Sequence, residues 1–131
     1  MSERRAIYKA SEHEEQVALF EWAAMVPELQ WMFAIPNGGA RHIAVAGKLK
    51  AEGVKRGVPD IFLPLARRGY HGLFIEMKSD RGRTSPEQRE WIEGLRRNGY
   101  VVAVCYGQDI ARALLASYVF GQDDDFGIVN P

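Results

Sequence analysis

Cysteine is almost missing from this chain. Cys105 stands alone, so no internal disulfide can form and the fold must rest on its core. Long apolar runs are missing too: none approaches the roughly 18 residues needed to span a bilayer. No signal-peptide pattern opens the chain, and the expected setting is a reducing, cytoplasmic one with no membrane partner. Neither a P-loop nor a Gly-x-Gly-x-x-Gly turn occurs, so no nucleotide cofactor is expected. His13, His42 and His71 are scattered and lack the spacing of zinc ligands. There is no internal repeat and no low-complexity segment. Net charge is missing as well, with 17 basic residues against 17 acidic ones, which does not advertise a nucleic-acid binder.

What is present fits one globular domain. The 131 residues are 47% hydrophobic and 26% charged, enough for a single core and too few for two. The charges are unevenly spread. Arg41, Lys48, Lys50, Lys55 and Arg56 face a single acid, Glu52, and Lys78, Arg81, Arg83, Arg89, Arg96 and Arg97 follow later. Asp123, Asp124 and Asp125 make the tail acidic. A basic surface can therefore coexist with an acidic tail. Cys105 lies in Val101–Tyr106, which reads as a buried strand, so its expected role is apolar filler.

Residues 1–10 read as a leader, 11–118 as the domain and 119–131 as an acidic tail. Ser11 with Glu14 forms a capping box that starts a helix running to about Val26, where Pro27 ends it. Leu29 to Ile35 reads as a strand, and His42 to Glu52 as a helix stopped by Gly53. Asp60 to Leu65 and Leu73 to Lys78 read as a strand pair joined by a hairpin at 67–72. Ser85-Pro86-Glu87-Gln88 is a second strong helix start, and Asn98-Gly99 ends that helix. A strand from Tyr100 to Tyr106 and a helix from Gln108 to Tyr118 complete the order α-β-α-β-β-α-β-α. The expected fold is α/β, a mixed sheet flanked by helices, with a right-handed parallel crossover from Leu73 to Tyr106.

One constellation asks for chemistry. Asp60 opens one apolar run, and Glu76-Met77-Lys78 lies inside the next. Residues two apart on a strand share a face, so Glu76 and Lys78 point together while Met77 points away. Pairing across the hairpin can bring Asp60 beside them. Two converging carboxylates repel unless a cation joins them, and hard oxygen ligands suit Mg²⁺ or Mn²⁺. Such an ion can stabilise charge on a phosphate, with Lys78 orienting water or neutralising the phosphate. The same pattern also fits a solvated hairpin salt bridge. On the first helix, stepping back by three and four from Leu19 reaches Gln16 and then Glu12, which places both at the core edge. Glu12 is equally a first-turn acid favoured by the helix dipole. Glu14 is the capping partner, and Glu15 reads as facing solvent.

Taken together, Glu12-x-x-x-Gln16, Gly57-Val58-Pro59-Asp60, Ile75-Glu76-Met77-Lys78 and Ser85-Pro86-Glu87-Gln88 resemble the stand-alone VRR-NUC nucleases of the PD-(D/E)xK, restriction endonuclease-like superfamily. Ile35-Pro36-Asn37-Gly38-Gly39 and the lysine-rich helix after it are similar to the bacterial and phage members. The resemblance covers roughly residues 11–118 and implies a Mg²⁺- or Mn²⁺-dependent DNA endonuclease. It makes Asp60 and Glu76 metal ligands, the Met77 carbonyl a further ligand and Lys78 the catalytic lysine. Glu12 would bind metal directly or through water, and Gln16 would support the site. Gln88 matches a family glutamine, for which both a capping role and a catalytic role stay open.

Stand-alone members also resemble archaeal Holliday junction resolvases, which implies a homodimer acting on branched or four-way DNA. Trp22, Trp31, Met32 and Phe33 supply apolar surface for an interface or for the core. Candidate DNA contacts are Asn37 and Arg41 in the glycine-rich loop, Lys48, Lys50 and Lys55, and Arg81 and Arg83 in a flexible loop after the lysine. Two other readings stand beside the resolvase: a flap- or nick-directed nuclease of phage DNA processing, and a catalytically silent DNA-binding module.

Overall fold

The computed structural model describes residues 10–36 and 43–121. The expected capping boxes set the two helices that flank the sheet. Ser11 Oγ accepts from the Glu14 N–H at 3.0 Å, and Glu14 Oε1 accepts from the Ser11 N–H at 2.8 Å, opening α1 (Glu12–Ala23). Ser85 and Gln88 repeat the arrangement at the start of α3 (Pro86–Arg97). Between them lie β1 (Phe33–Ala34), α2 (Ile43–Ala51), β2 (Ile61–Leu63) and β3 (Leu73–Lys78). The chain continues into β4 (Val101–Tyr106) and α4 (Gln108–Phe120).

The four strands form one mixed sheet in the order β1-β2-β3-β4. β1, β2 and β3 are antiparallel neighbours, and β3 and β4 are parallel across the α3 crossover. This is the expected α/β order. At the hairpin, Arg68 (φ 56°) and Gly69 (φ 84°) take consecutive left-handed conformations, the signature of a primed two-residue turn between Arg67 and Tyr70. Arg68 is an unusual residue for that position. Its guanidinium offsets the strain by donating from Nε to Tyr118 O at 3.2 Å and from Nη2 to Ser117 O at 2.8 Å, at the C-terminal end of α4.

Alternation along the strands splits the core in two. Ile61, Leu63, Leu73, Ile75, Met77, Val101, Ala103 and Cys105 face Leu19 and Ala23 of α1 and Leu114, Leu115 and Tyr118 of α4. Phe62, Phe74, Val102 and Val104 face Ile92 and Leu95 of α3, with the Phe62 and Phe74 rings stacked at 4.2 Å. Cys105 is buried as expected, and burial pushes its thiol up to about 12.

One element differs from expectation. The stretch read as a strand from Leu29 to Ile35 is extended only at Phe33–Ala34. Residues Pro27–Trp31 instead form a 3₁₀ turn. Pro27 supplies the fixed φ of a helical first position, and Leu29 anchors the turn in the core at 4% exposure. Met32 and Trp22 serve the core, whereas Trp31 and Phe33 remain exposed. No helix among the described residues is long and apolar enough to cross a membrane.

Candidate active site

The β2–β3 register pairs Ile61 with Ile75, so the next step outward sets Asp60 opposite Glu76. Both then stand on the α3 face of the sheet, with Lys78 two residues further along β3. Pro59, fully buried, delivers Asp60 to this point, and the Asp60 carbonyl accepts from the Ile35 N–H at 2.6 Å. Asp60 Oδ2 accepts from the Met77 N–H at 2.8 Å. Met77 turns its side chain into the opposite core, as alternation requires.

Glu76 is the buried charged residue among those described, at 2% exposure. Its Oε2 accepts from Gln88 Nε2 at 2.8 Å and lies 3.6 Å from Lys78 Nζ. Its Oε1 is buried and has no hydrogen-bond donor. Burial, and then repulsion from Asp60, raise the Glu76 carboxyl to about 8, while Lys78 draws it down. Burial also raises Asp60 against the lowering effects of the Met77 N–H, Glu76 and Lys78. Two ionised carboxylates this close and this buried are costly. Without metal, a proton held on Glu76 and shared with Asp60 relieves the pair near neutral pH, and a cation in its place would let both ionise. The two carboxylates supply hard oxygen donors of the kind a divalent ion takes. The solvated salt bridge allowed by the sequence is excluded for Glu76, because neither it nor Lys78, with 12% of its side chain exposed, is on the surface.

Gln88 performs two jobs at once. Its Oε1 accepts from the Ser85 N–H at 2.8 Å, closing the capping box, while its Nε2 reaches Glu76. The alternatives left open for Gln88 are thus compatible, since one amide has an acceptor and a donor end.

Glu12 and Gln16 are not brought into this bonded group. Among the described residues, no hydrogen bond or ion pair joins them to Asp60, Glu76 or Lys78, and no set of three His, Cys, Asp or Glu side chains gathers at one point. They line an open groove along α1 with His13, Val17, Phe20, Glu21 and Ala24. Glu15 requires correction. Read as facing solvent, it is half-buried and its Oε1 accepts from the Gln108 N–H at 2.7 Å, capping α4. The inward line from Ala23 steps back by four through Leu19 to Glu15, and the free N–H of a helix start draws the carboxylate there.

Lys48, Lys50, Lys55, Arg81 and Arg83 are exposed. Asn37 and Arg41 lie outside the described residues. The loop holding Arg81 and Arg83, expected to be flexible, is tied at two points. Gly82 N–H donates to Ser79 O at 3.0 Å, and Tyr106 OH donates to Gly82 O at 3.1 Å. The sequence does not single out Tyr106, because its contact with Gly82 exists only once the parallel crossover sets β4 beside β3.

A mixed sheet whose hairpin sets half-buried Asp60, buried Glu76 and half-buried Lys78 on one face defines a restriction endonuclease-like nuclease fold. The model of the VRR-NUC domain matches residues 2–109, so the chain belongs to the VRR-NUC family. A solved structure described as a VRR_NUC domain protein is similar, with 31% identity and a TM-score of 0.76, covering 88% of this chain and 93% of that one. Among curated proteins no relative matches.

Proposed function

We propose that this nuclease-type domain is a Mg²⁺- or Mn²⁺-dependent endodeoxyribonuclease acting as a homodimer on branched DNA, a Holliday junction resolvase-like enzyme. The observation that carries the reading is Glu76 Oε1, buried beside Asp60 with no donor. Asp60, Glu76 and the Met77 carbonyl would hold the cation, with Glu12 and Gln16 as outer candidates. A bound divalent ion would supply positive charge against the phosphate and favour ionisation of water.

The chain's own groups do the rest. Gln88 fixes the Glu76 carboxylate so that one oxygen is spoken for and the other is free. The Met77 N–H does the same for Asp60 Oδ2. Lys78 places a confined ammonium beside the pair, where it can orient attacking water and offset charge on the phosphate. Water adds to phosphorus, the P–O3′ bond breaks, and the 3′ oxygen takes a proton, leaving a 5′-phosphate and a 3′-hydroxyl. Lys48, Lys50, Lys55, Arg81 and Arg83, with Asn37 and Arg41, are the proposed phosphate contacts. Trp31, 60% exposed, and Phe33 on the edge strand β1 offer apolar surface for a second copy.

The test is cleavage of an immobile four-way junction beside flap, nicked and linear duplexes, with Mg²⁺, Mn²⁺ or chelator and Asp60→Ala as the blank. Symmetric, metal-dependent cuts on the junction, lost in the variant, support the dimeric resolvase. Preferred cutting of flap or nicked DNA moves the substrate. Binding without cleavage of any substrate sinks the enzyme reading in favour of a silent module.

A further inference from the structure

Tyr106 ends β4 directly opposite Lys78 in the parallel register, so the two side chains share a face of the sheet. Tyr106 is 46% exposed, so burial alone does not account for its placement. Its hydroxyl donates to the Gly82 carbonyl at 3.1 Å. Gly82 has been folded back to that point by the turn in which its N–H donates to Ser79 O at 3.0 Å. There it presses on the lysine stem: a methyl group at Gly82 would stand 3.1 Å from Lys78 Cδ and 3.4 Å from Lys78 Cβ. The four-carbon stem is thus walled by Gly82 and flanked by Tyr106. A lysine free to sample its rotamers would lose substantial order that this wall supplies in advance. Arg81 and Arg83 flank the same glycine, so whatever holds Gly82 also fixes where those two cations emerge.

We propose that Tyr106 is a positioning residue: its hydroxyl, through the Gly82 carbonyl, holds the 79–82 turn closed on Lys78. The turn thereby aims the lysine ammonium and the adjoining Arg81 and Arg83 at one phosphate. The proposal rests on the nuclease reading above. It predicts that a single exposed hydroxyl controls turnover without touching the reacting atoms.

Tyr106→Phe removes only that hydroxyl, and two readouts divide the question. Trypsin cleavage after Arg81 and Arg83 in the intact, metal-free protein reads the tether. Steady-state cleavage of the DNA substrate reads the lysine. In Tyr106→Phe, nicking at these arginines should accelerate by at least about threefold, because a local opening is made easier. In the same variant kcat should fall by about three- to tenfold with KM changed far less, the pattern of a lost transition-state interaction. Gly82→Ala, which crowds the lysine and leaves the hydroxyl in place, should lower kcat while keeping wild-type resistance to trypsin. Wild-type nicking in Tyr106→Phe overturns the tether. Faster nicking with unchanged kcat overturns its service to Lys78. If the wild-type protein cuts nothing beyond the Asp60→Ala blank, the nuclease reading itself has failed and the positioning role falls with it, whatever the trypsin result.

Discussion

Gln88 and Glu76 are joined by a 2.8 Å hydrogen bond in which the same amide that closes the α3 capping box orients a buried carboxylate. Helix start and candidate ligand are therefore one mechanical unit. Removing the donor while keeping the acceptor separates the two roles. Gln88→Glu retains an oxygen for the Ser85 N–H but turns a carboxylate toward Glu76. Cleavage should fall at least about tenfold. In chelator, stability should fall by about 1–2 kcal/mol from the lost bond and added repulsion. Urea melts with and without Mg²⁺ check this, and Mg²⁺ should recover most of the loss. A stability loss that Mg²⁺ leaves untouched would mean that Gln88 serves the helix alone.

The Glu76 carboxyl is raised from 4.5 to about 8 in the folded protein, chiefly by burial and then by Asp60. Between those values the folded chain binds more protons than the unfolded one, so stability falls as pH rises through that window. The slope contributed by this group is at most about 1.4 kcal/mol per pH unit. Thermal melts in chelator from pH 4.5 to 8 should show the decline. Glu76→Gln, a neutral stand-in for the protonated acid, should flatten it. An equal decline in the variant would place its origin elsewhere.

The fold was legible where local chemistry punctuates the chain. Ser11 with Glu14 and Ser85 with Gln88 announce helices through contacts only three residues apart, and the strands around the hairpin alternate cleanly. Asp60, Glu76 and Lys78 were legible as a cluster because a two-residue period and one hairpin suffice to bring them together. What was not legible depends on partners distant in sequence. Nothing near Glu15 says that the α4 start, 93 residues away, will claim it in preference to solvent. Nothing near Tyr106 points to Gly82, because their contact exists only after the parallel crossover sets β4 beside β3. The strand misread at 29–31 has the opposite cause. Its apolar composition suits either state, and Pro27 decided for a helical turn.

Asp60→Asn should separate stability from activity. The amide oxygen can still accept from the Met77 N–H, as Asp60 Oδ2 does at 2.8 Å. The amide NH₂ can then donate to the adjacent Glu76 carboxylate, and one of two repelling charges is gone. In chelator near pH 8 the variant should melt higher than wild type, by about 1–2 kcal/mol or several degrees. Its cleavage should be lost, and its stabilisation by Mg²⁺ or Mn²⁺ should shrink, since binding raises stability only where the folded state holds the ion. Calorimetry with and without metal reads both. A variant less stable than wild type in chelator would show that the carboxylate pair is not strained, which removes the argument for a cation between them.

Gly57 and Gly53 offer a matched pair for testing what holds the Asp60 loop against α3. Both have left-handed backbones, with φ of 92° and 104°. A methyl group on Gly53 would meet open space, but one on Gly57 would stand 2.7 Å from the Glu87 carbonyl carbon and oxygen, in the first turn of α3. Gly53→Ala should therefore cost only backbone strain, about 1 kcal/mol. Gly57→Ala should cost about 2–4 kcal/mol, because backbone rather than a mobile side chain must move. The displaced turn carries Gln88, so the folded fraction of Gly57→Ala should also cleave slowly, while Gly53→Ala cleaves normally. Urea midpoints for the pair isolate the contact from the strain. Equal midpoints would mean that the loop and α3 are loosely apposed, and the Gln88–Glu76 bond would then need another explanation for its geometry.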